Sequence, residues 1–200
     1  MALETAIIDS GGANIASLMY ALQRLGVAAS LTTDADRIRS AERVILPGVG
    51  AARDAMVRLQ KHELVDVIRE LTQPVLGICL GMQLLAAASE EEDVECLAVI
   101  PGTAKKLSGD VGCPVPNMGW CPITRSGDHD VLANIDDGSY FYFVHSYALP
   151  VSDFTIATAD HAEPFSAVVG HKNFVAAQFH PERSSATGSR LLQNFLGVSR

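Results

Sequence analysis

A cysteine between two glycines has the clearest setting for chemistry in this sequence. The run Gly77-Ile78-Cys79-Leu80-Gly81 has the form G-x-C-x-G, which is the pattern of a nucleophile elbow with sulfur in place of oxygen. Glycines on both sides allow a tight turn, and the positive end of a following helix dipole favours the reactive thiolate. A buried cysteine that only packs against its neighbours fits the same five residues, because free cysteines are commonly buried.

Among the six histidines, His180 has the setting that a catalytic base requires. It follows the apolar run 174–179 and begins the sequence His180-Pro181-Glu182. Pro181 keeps the segment extended, and in an extended segment residues i and i+2 point to the same side. Glu182 can then orient the imidazole, as the acid does in a nucleophile–His–acid triad. The alternative is a turn with a surface ion pair, and the elbow at Cys79 favours the triad.

The run Pro47-Gly48-Val49-Gly50 follows a short apolar segment and offers flexible backbone. Acyl transfer needs two backbone N–H groups aimed at the developing oxyanion. The N–H of Leu80 is one candidate donor, and this glycine-rich loop is a candidate for the other. An ordinary strand-to-helix turn is the alternative. The loop lacks the G-x-x-x-x-G-K-[ST] pattern, which argues against a phosphate-binding loop.

Alternating strands and helices must position these segments. We predict strands in the first half at 6–8, 44–46 and 74–78, and helices at 15–25, 56–71 in two stretches, and 80–88. This order is typical of parallel βαβ units, which bind ligands at the carboxyl ends of their strands. In the second half we predict strands at 140–144, 154–158, 167–169 and 174–179, and a last helix that Gly197 ends. The expected fold is therefore α/β and flavodoxin-like, an open, mostly parallel sheet flanked by helices with an antiparallel extension in the second half.

The composition excludes several classes of protein. The chain has 200 residues, 48% of them hydrophobic, and 15 Lys+Arg against 23 Asp+Glu give a net charge of −8. A disordered chain would be less apolar, and a nucleic-acid binder would normally be basic. We find no repeat or linker and expect one domain over 1–200. The amino-terminal residues lack the basic region of a signal peptide, so we expect a cytoplasmic protein with no membrane association. The four cysteines form no CxxC pair, and we expect no metal site and no cofactor.

The motifs in combination resemble a known enzyme family. LPGVG at 46–50, GICLGMQLL at 77–85 and HPE at 180–182 resemble the class I, or triad, glutamine amidotransferases. PNMGW at 116–120, YFYFVHSY at 140–147 and QFHPERSS at 178–185 are similar to the glutaminase subunits of bacterial imidazole glycerol phosphate synthases, which act in histidine biosynthesis. The resemblance covers nearly the whole chain.

The resemblance implies a role for each motif. Cys79 would attack the side-chain amide of glutamine, and His180, oriented by Glu182, would protonate the leaving ammonia and then activate water on the glutamyl thioester. The remaining implied site residues are Gly48, Val49, Gly50 and Leu80 for the oxyanion hole, and Gln83, Ser146 and Tyr147 for binding glutamine.

The resemblance also implies a partner, a (β/α)8-barrel cyclase subunit that forms a heterodimer with the chain and uses the ammonia. The implied interface residues are Asn14, Met118, Trp120, Tyr142 and Arg183. Trp120 and Tyr142 are by default core residues, and their place at an interface comes from the resemblance alone. Two other functions remain open: the glutaminase of another ammonia-channelling synthase, such as pyridoxal phosphate synthase, and a catalytically silent binding module.

Overall fold

The computed structural model describes residues 4–11 and 15–198. Asn14, predicted as a helix cap and as an interface residue, lies outside the described residues. The strands are β1 (Glu4–Ile8), β2 (Ala28–Thr32), β3 (Arg43–Gly48), β4 (Val75–Cys79), β5 (Ala86–Ser89), β6 (Val94–Glu95), β7 (Ile100–Lys106), β8 (Asn117–Pro122), β9 (Thr124–Arg125), β10 (Tyr140–His145), β11 (Tyr147–Ala148), β12 (Thr155–His161), β13 (Glu163–His171) and β14 (Phe174–Ala177). The helices are α1 (Ile15–Arg24), α2 (Ala35–Ser40), α3 (Ala52–Lys61), α4 (Leu64–Arg69), α5 (Leu80–Leu85) and α6 (Ser185–Leu196), with 3₁₀ turns at Asp130–Leu132 and Pro181–Arg183.

One eight-stranded sheet carries the fold, in the order β2-β1-β3-β4-β14-β13-β12-β9. Strands β2, β1, β3, β4 and β14 run parallel, and β13, β12 and β9 continue the sheet in antiparallel pairs. This confirms the predicted mostly parallel α/β sheet with an antiparallel extension. The carboxyl ends of β3 and β4 lie side by side, with Gly48 paired to Cys79.

Apolar residues fill both faces of the sheet, because successive side chains along a strand point to opposite sides. Ile7 of β1 joins one buried cluster with residues of α1 and α6, whereas Ile8 joins a second cluster with residues of α2, α3 and α4. The helices therefore cover the sheet on two sides, as expected for parallel strands. None of the helices in the described ranges is long and apolar enough to cross a membrane.

Three of the predicted elements are wrong in detail. The helix predicted at 80–88 ends at Leu85, and Ala86–Ser89 is a strand that pairs with β6 and β7 in a separate sheet. Strand β3 continues through Pro47 and Gly48, so the predicted loop begins only at Val49. Strand β10 does not extend the main sheet but pairs with β8 as an antiparallel ribbon. Apolar alternation predicts a strand, but it does not specify which strand becomes its neighbour.

Candidate active site

Cys79 stands at the junction of β4 and α5 in a backbone conformation that few residues adopt. Its φ of 54° and ψ of −111° make it a sharp turn before the helix. A Cβ on Gly81 would overlap the carbonyl oxygen of Leu46, and one on Gly77 would lie 2.9 Å from the Cβ of Ala176. Both glycines are therefore required for α5 to pack closely against the sheet, and this packing produces the elbow that the sequence predicts.

His180 and Glu182 form a buried pair beside the end of β14. The Nδ1 atom of His180 lies 2.8 Å from Oε1 of Glu182, and their side chains are only 4% and 3% exposed. The predicted contact is present and His180 itself is extended, with φ −97° and ψ 97°, but the prediction that the extended segment continues to Glu182 is wrong. Pro181 begins a 3₁₀ turn, since its fixed φ suits the first position of a helical turn. The hydroxyl of Ser184 donates to the carbonyl of His180 at 2.7 Å and closes this turn.

The surroundings of His180 change the charge of its imidazole. Burial lowers the pKa of His180, but interactions with Cys79 and Glu182 outweigh burial and raise that pKa to about 10. The imidazole is therefore cationic at neutral pH. A cationic imidazole beside a cysteine favours the thiolate and holds a proton that a leaving group can take.

Cys79 and His180 border a cleft of about 330 Å³ at the carboxyl edge of the parallel strands. Its walls are formed by Val49, Gly50, Cys79, Leu80, Gln83, Glu91, Val144, His145, Ser146, Tyr147 and His180. A candidate nucleophile (Cys79), a candidate proton donor (His180) and backbone amides thus surround one cleft, and acyl transfer requires these three kinds of group. No group of three His, Cys, Asp or Glu side chains within residues 4–11 and 15–198 could hold a metal ion.

Comparison with known proteins identifies the family. The model of the family "Glutamine amidotransferase class-I" matches residues 6–198. A protein of Idiomarina loihiensis named imidazole glycerol phosphate synthase subunit HisH is 50% identical over 197 residues, which cover 98% of this chain and 99% of that protein. The chain belongs to the HisH family of class-I glutamine amidotransferases.

Other relatives support the same family. The HisH subunits of Xanthomonas axonopodis pv. citri and Shewanella loihica are 50% and 46% identical over 98% of this chain, and the matches cover 98% and 91% of those proteins. Among solved structures, a putative GMP synthase protein from Thermoplasma acidophilum superposes with a TM-score of 0.77 at 20% identity, covering 98% of this chain and 94% of that one. The PurLQS structure from Thermotoga maritima gives 0.71 at 18% identity, covering 98% and 99%. These distant structures share the fold.

Three of the four predicted oxyanion residues of this amidotransferase line the cleft. Val49, Gly50 and Leu80 border it together with Cys79, and Gly50 has a positive φ of 99°. Gly48 instead lies buried in β3, where a Cβ would come within 2.9 Å of the Cβ of Leu80. Gly48 thus allows the strand to approach the elbow closely, while Val49 and Gly50 form part of the cleft wall.

All three predicted glutamine-binding residues of the amidotransferase, Gln83, Ser146 and Tyr147, also line the cleft. Sequence reasoning missed Glu91 and His145 on the same wall. Glu91 accepts a hydrogen bond from the first amide of α3, Ala52 N, at 2.9 Å, and its carboxylate is the group type that pairs with an α-ammonium. The only sequence signal for Glu91 is the acidic run at 90–93, and such a run is as typical of a solvated turn as of a binding site.

The predicted interface residues within the described chain share one surface. Met118 and Trp120 of β8 are 64% and 51% exposed, although a lone tryptophan is by default a core residue. The ring of Trp120 contacts that of Tyr142 edge to face at 6.0 Å, and the guanidinium of Arg183 lies 4.6 Å above the Tyr142 ring. Tyr140, 55% exposed on the same ribbon, was not predicted. We call these five residues the aromatic face.

Proposed function

We propose that this chain is the glutaminase subunit of an imidazole glycerol phosphate synthase. It hydrolyses glutamine to glutamate and ammonia and passes the ammonia to a cyclase subunit, in histidine biosynthesis. The observation that carries the proposal is the cleft that joins Cys79 to the buried His180–Glu182 pair. Identity of about 50% with HisH subunits over 98% of the chain supports the particular synthase. We further propose that residues 1–200 act as one domain.

The first half-reaction forms a thioester. The thiolate of Cys79 attacks the side-chain carbonyl carbon of glutamine, and the oxyanion accepts hydrogen bonds from the N–H of Leu80 and from the backbone at Val49 and Gly50. Nδ1 of His180 is hydrogen-bonded to Glu182, so Nε2 is the ring nitrogen that transfers the proton. When the tetrahedral intermediate collapses, the C–N bond breaks, His180 gives its proton to the departing nitrogen, and ammonia leaves.

The second half-reaction releases glutamate. Neutral His180 takes a proton from a water molecule, whose oxygen attacks the glutamyl thioester through the same oxyanion geometry. The C–S bond then breaks, and Cys79 leaves as a thiolate beside the imidazolium that has formed. The site thereby returns to its starting charge state with one glutamate and one ammonia produced.

The aromatic face supports a partner that receives the ammonia. Ammonia released into water would become protonated and lose its nucleophilicity, so a second active site must be docked nearby. The aromatic face lies next to the triad: His180 N donates to the carbonyl of Tyr142 at 2.9 Å. Exposed aromatic, Met and Arg side chains are enriched at protein interfaces. A (β/α)8-barrel cyclase bound there would place its own site over the cleft.

A glutaminase assay of the chain alone, with the barrel cyclase, and with the cyclase and its nucleotide substrate tests activity and partner together. We expect slow glutamate release from the chain alone and a rise of at least about tenfold in the ternary mixture, in the range of ordinary allosteric coupling. Glutamate release that is absent in all three mixtures would contradict the proposed hydrolysis. A rate that the cyclase and its substrate leave unchanged would contradict the proposed partner.

A further inference from the structure

Two polar groups besides the histidine approach the sulfur of Cys79, and they have opposite character. The carbonyl oxygen of Val144 lies 3.8 Å from Sγ and can accept a hydrogen bond from the thiol. The side-chain amide nitrogen of Gln178 lies 3.9 Å from Sγ and donates toward it. Gln178 is fully buried and does not border the cleft, so it contacts the nucleophile from behind. The roles assigned above to the triad and to the glutamine-binding residues do not include the Gln178 amide.

The hydrogen bonds around Gln178 determine which end of its amide faces the sulfur. The carbonyl of Tyr147 can only accept, so the group of Gln83 that lies 2.9 Å from it must be the NH₂ group. The same NH₂ group lies 3.3 Å from the Oε1 atom of Gln178 and donates to it. The oxygen of Gln178 is thereby engaged with Gln83, and its NH₂ group is left facing Cys79.

A second set of hydrogen bonds holds the Tyr147 carbonyl in place. His145 Nδ1 donates to this oxygen at 3.0 Å, and His145 Nε2 accepts from Asn117 Nδ2 at 3.1 Å. Burial lowers the pKa of His145 to about 4, against the opposing effect of its bond to Tyr147, so the ring is neutral at pH 7 and Nε2 can accept. Asn117 Oδ1 in turn accepts from the thiol of Cys121 at 3.6 Å. In this series of hydrogen bonds, from Cys121 through Asn117 and His145 to the Tyr147 carbonyl, each donor therefore meets an acceptor.

We propose that Gln178 is a further catalytic residue of the glutamine hydrolysis proposed above, one that donates a hydrogen bond to the thiolate of Cys79. When Cys79 is a thiolate beside the cationic imidazole of His180, the Val144 carbonyl faces an anion and no longer accepts a hydrogen bond from the sulfur. The Gln178 NH₂ group is then the buried neutral donor that stabilises the negative sulfur. Gln83 and the Tyr147 carbonyl act as positioning groups, because they keep that NH₂ group turned toward Cys79.

Alkylation of Cys79 by iodoacetamide tests this proposal without glutamine or a partner. The rate is measured on the peptide that carries Cys79, from pH 5 to 10, in the wild type and in Gln178→Met. Without the donor, we expect the rate at pH 7 to fall about tenfold and the profile to move to higher pH, since thiolate is the reactive form. Gln193→Met, at a buried glutamine of α6, is the matched control and should keep the wild-type profile.

A folded Gln178→Met variant with the wild-type alkylation profile would overturn the proposal. If that variant does not fold, Gln83→Met removes the orienting NH₂ group and should shift the profile in the same direction; an unshifted profile then overturns it. In the complex with the cyclase, Gln178→Met should lower kcat with little change in KM, because Gln178 does not border the cleft. A chain that never hydrolyses glutamine but shows the Gln178-dependent profile would refute the proposed function, while the hydrogen bond from Gln178 to the thiolate of Cys79 would stand.

Discussion

The charge of His180 depends on two neighbours that act against its burial. Burial by itself lowers the pKa of a histidine, and Cys79 and Glu182 together raise the pKa of His180 to about 10. The strained turn at Cys79 brings the sulfur to the imidazole, and the 3₁₀ turn brings the carboxylate to its other nitrogen. Each neighbour can therefore be removed separately, with a distinct expected effect on the imidazole.

Replacement of Cys79 removes the nucleophile and one cause of the raised pKa. We expect Cys79→Ala to abolish glutamate release, to keep the fold, and to lower the pKa of His180 from about 10 as read from its imidazole NMR signals. Cys113→Ala is the control, since Cys113 lies away from the cleft, and it should keep both activity and the His180 pKa. Glutamine turnover that survives in Cys79→Ala would refute the assignment of the nucleophile.

Replacement of Glu182 should make the free energy of unfolding depend on pH in a specific way. The folded-state pKa of His180, about 10, lies above the ordinary value of 6.5, so its ionisation stabilises the fold fully below pH 6.5 and loses this effect as the pH rises toward 10. Glu182→Gln lowers the folded-state pKa and removes part of this stabilisation. Urea unfolding should show a larger deficit in the variant at pH 6 than at pH 10. An equal deficit at both values would contradict the pairing.

At the level of elements, the position of α5 depends on contact between its first turn and the backbone of β3. A Cβ on Gly81 would overlap the Leu46 carbonyl, and neither main-chain segment can move without disturbing the sheet. We expect Gly81→Ala to reduce the free energy of unfolding by about 3 kcal/mol and to abolish activity, as measured by denaturant titration and glutaminase assay.

Gly112 provides the matched control for this prediction. It has no positive φ, and a Cβ there would meet its nearest atom at an ordinary 3.6 Å. Gly112→Ala should therefore change stability by less than about 0.5 kcal/mol. Equal stability of the two variants would show that close approach at Gly81 does not maintain the elbow.

At the level of the whole molecule, the ribbon of β8 and β10 connects an exposed surface to the catalytic groups. Its outer side carries the aromatic face, and the backbone of β10 contacts His180 through Tyr142 and Cys79 through Val144. A partner that docks on the ribbon would thus contact β10, the strand whose backbone carbonyls accept hydrogen bonds from His180 and Cys79. This arrangement gives a physical route by which the proposed cyclase could change glutaminase activity.

Truncation of Trp120 tests whether the aromatic face binds the cyclase. Trp120→Ala should weaken the complex about 30-fold, or ~2 kcal/mol, because large aromatic side chains dominate interface energies. Thermal stability of the isolated chain should change little, since half of the residue's surface is already exposed. Val111→Ala, at an exposed apolar residue outside the face, is the control for calorimetric titration. Equal affinities of the two variants would place the cyclase elsewhere.

Local patterns in the sequence predict much of the fold and of the site. Apolar runs at 44–46 and 74–78 predict β3 and β4, and the glycines around Cys79 predict a turn at the point where β4 meets α5. These signals are reliable because strand burial and glycine-dependent turns are short-range properties. The predicted 80–88 helix is wrong beyond Leu85. Its alanines favour a helix by local propensity, and pairing on both sides, with β6 and β7, makes Ala86–Ser89 a strand.

Long-range contacts supply what local patterns do not contain. In the sequence, Gln178 is an ordinary polar residue in an apolar run. Its contact with Cys79 exists only because β14 pairs with β4 and brings Gln178 next to the sulfur. Trp120 and Tyr142 read as core residues, and pairing of β8 with β10 outside the main sheet leaves their side open to solvent. Residue types and spacing thus predict the proposed nucleophile and its base, and they indicate the family. Packing between distant segments specifies which amide faces the sulfur and which aromatic side chains face solvent. Gln178 and Cys79 are 99 positions apart in the chain, and Trp120 and Tyr142 meet only because β8 pairs with β10.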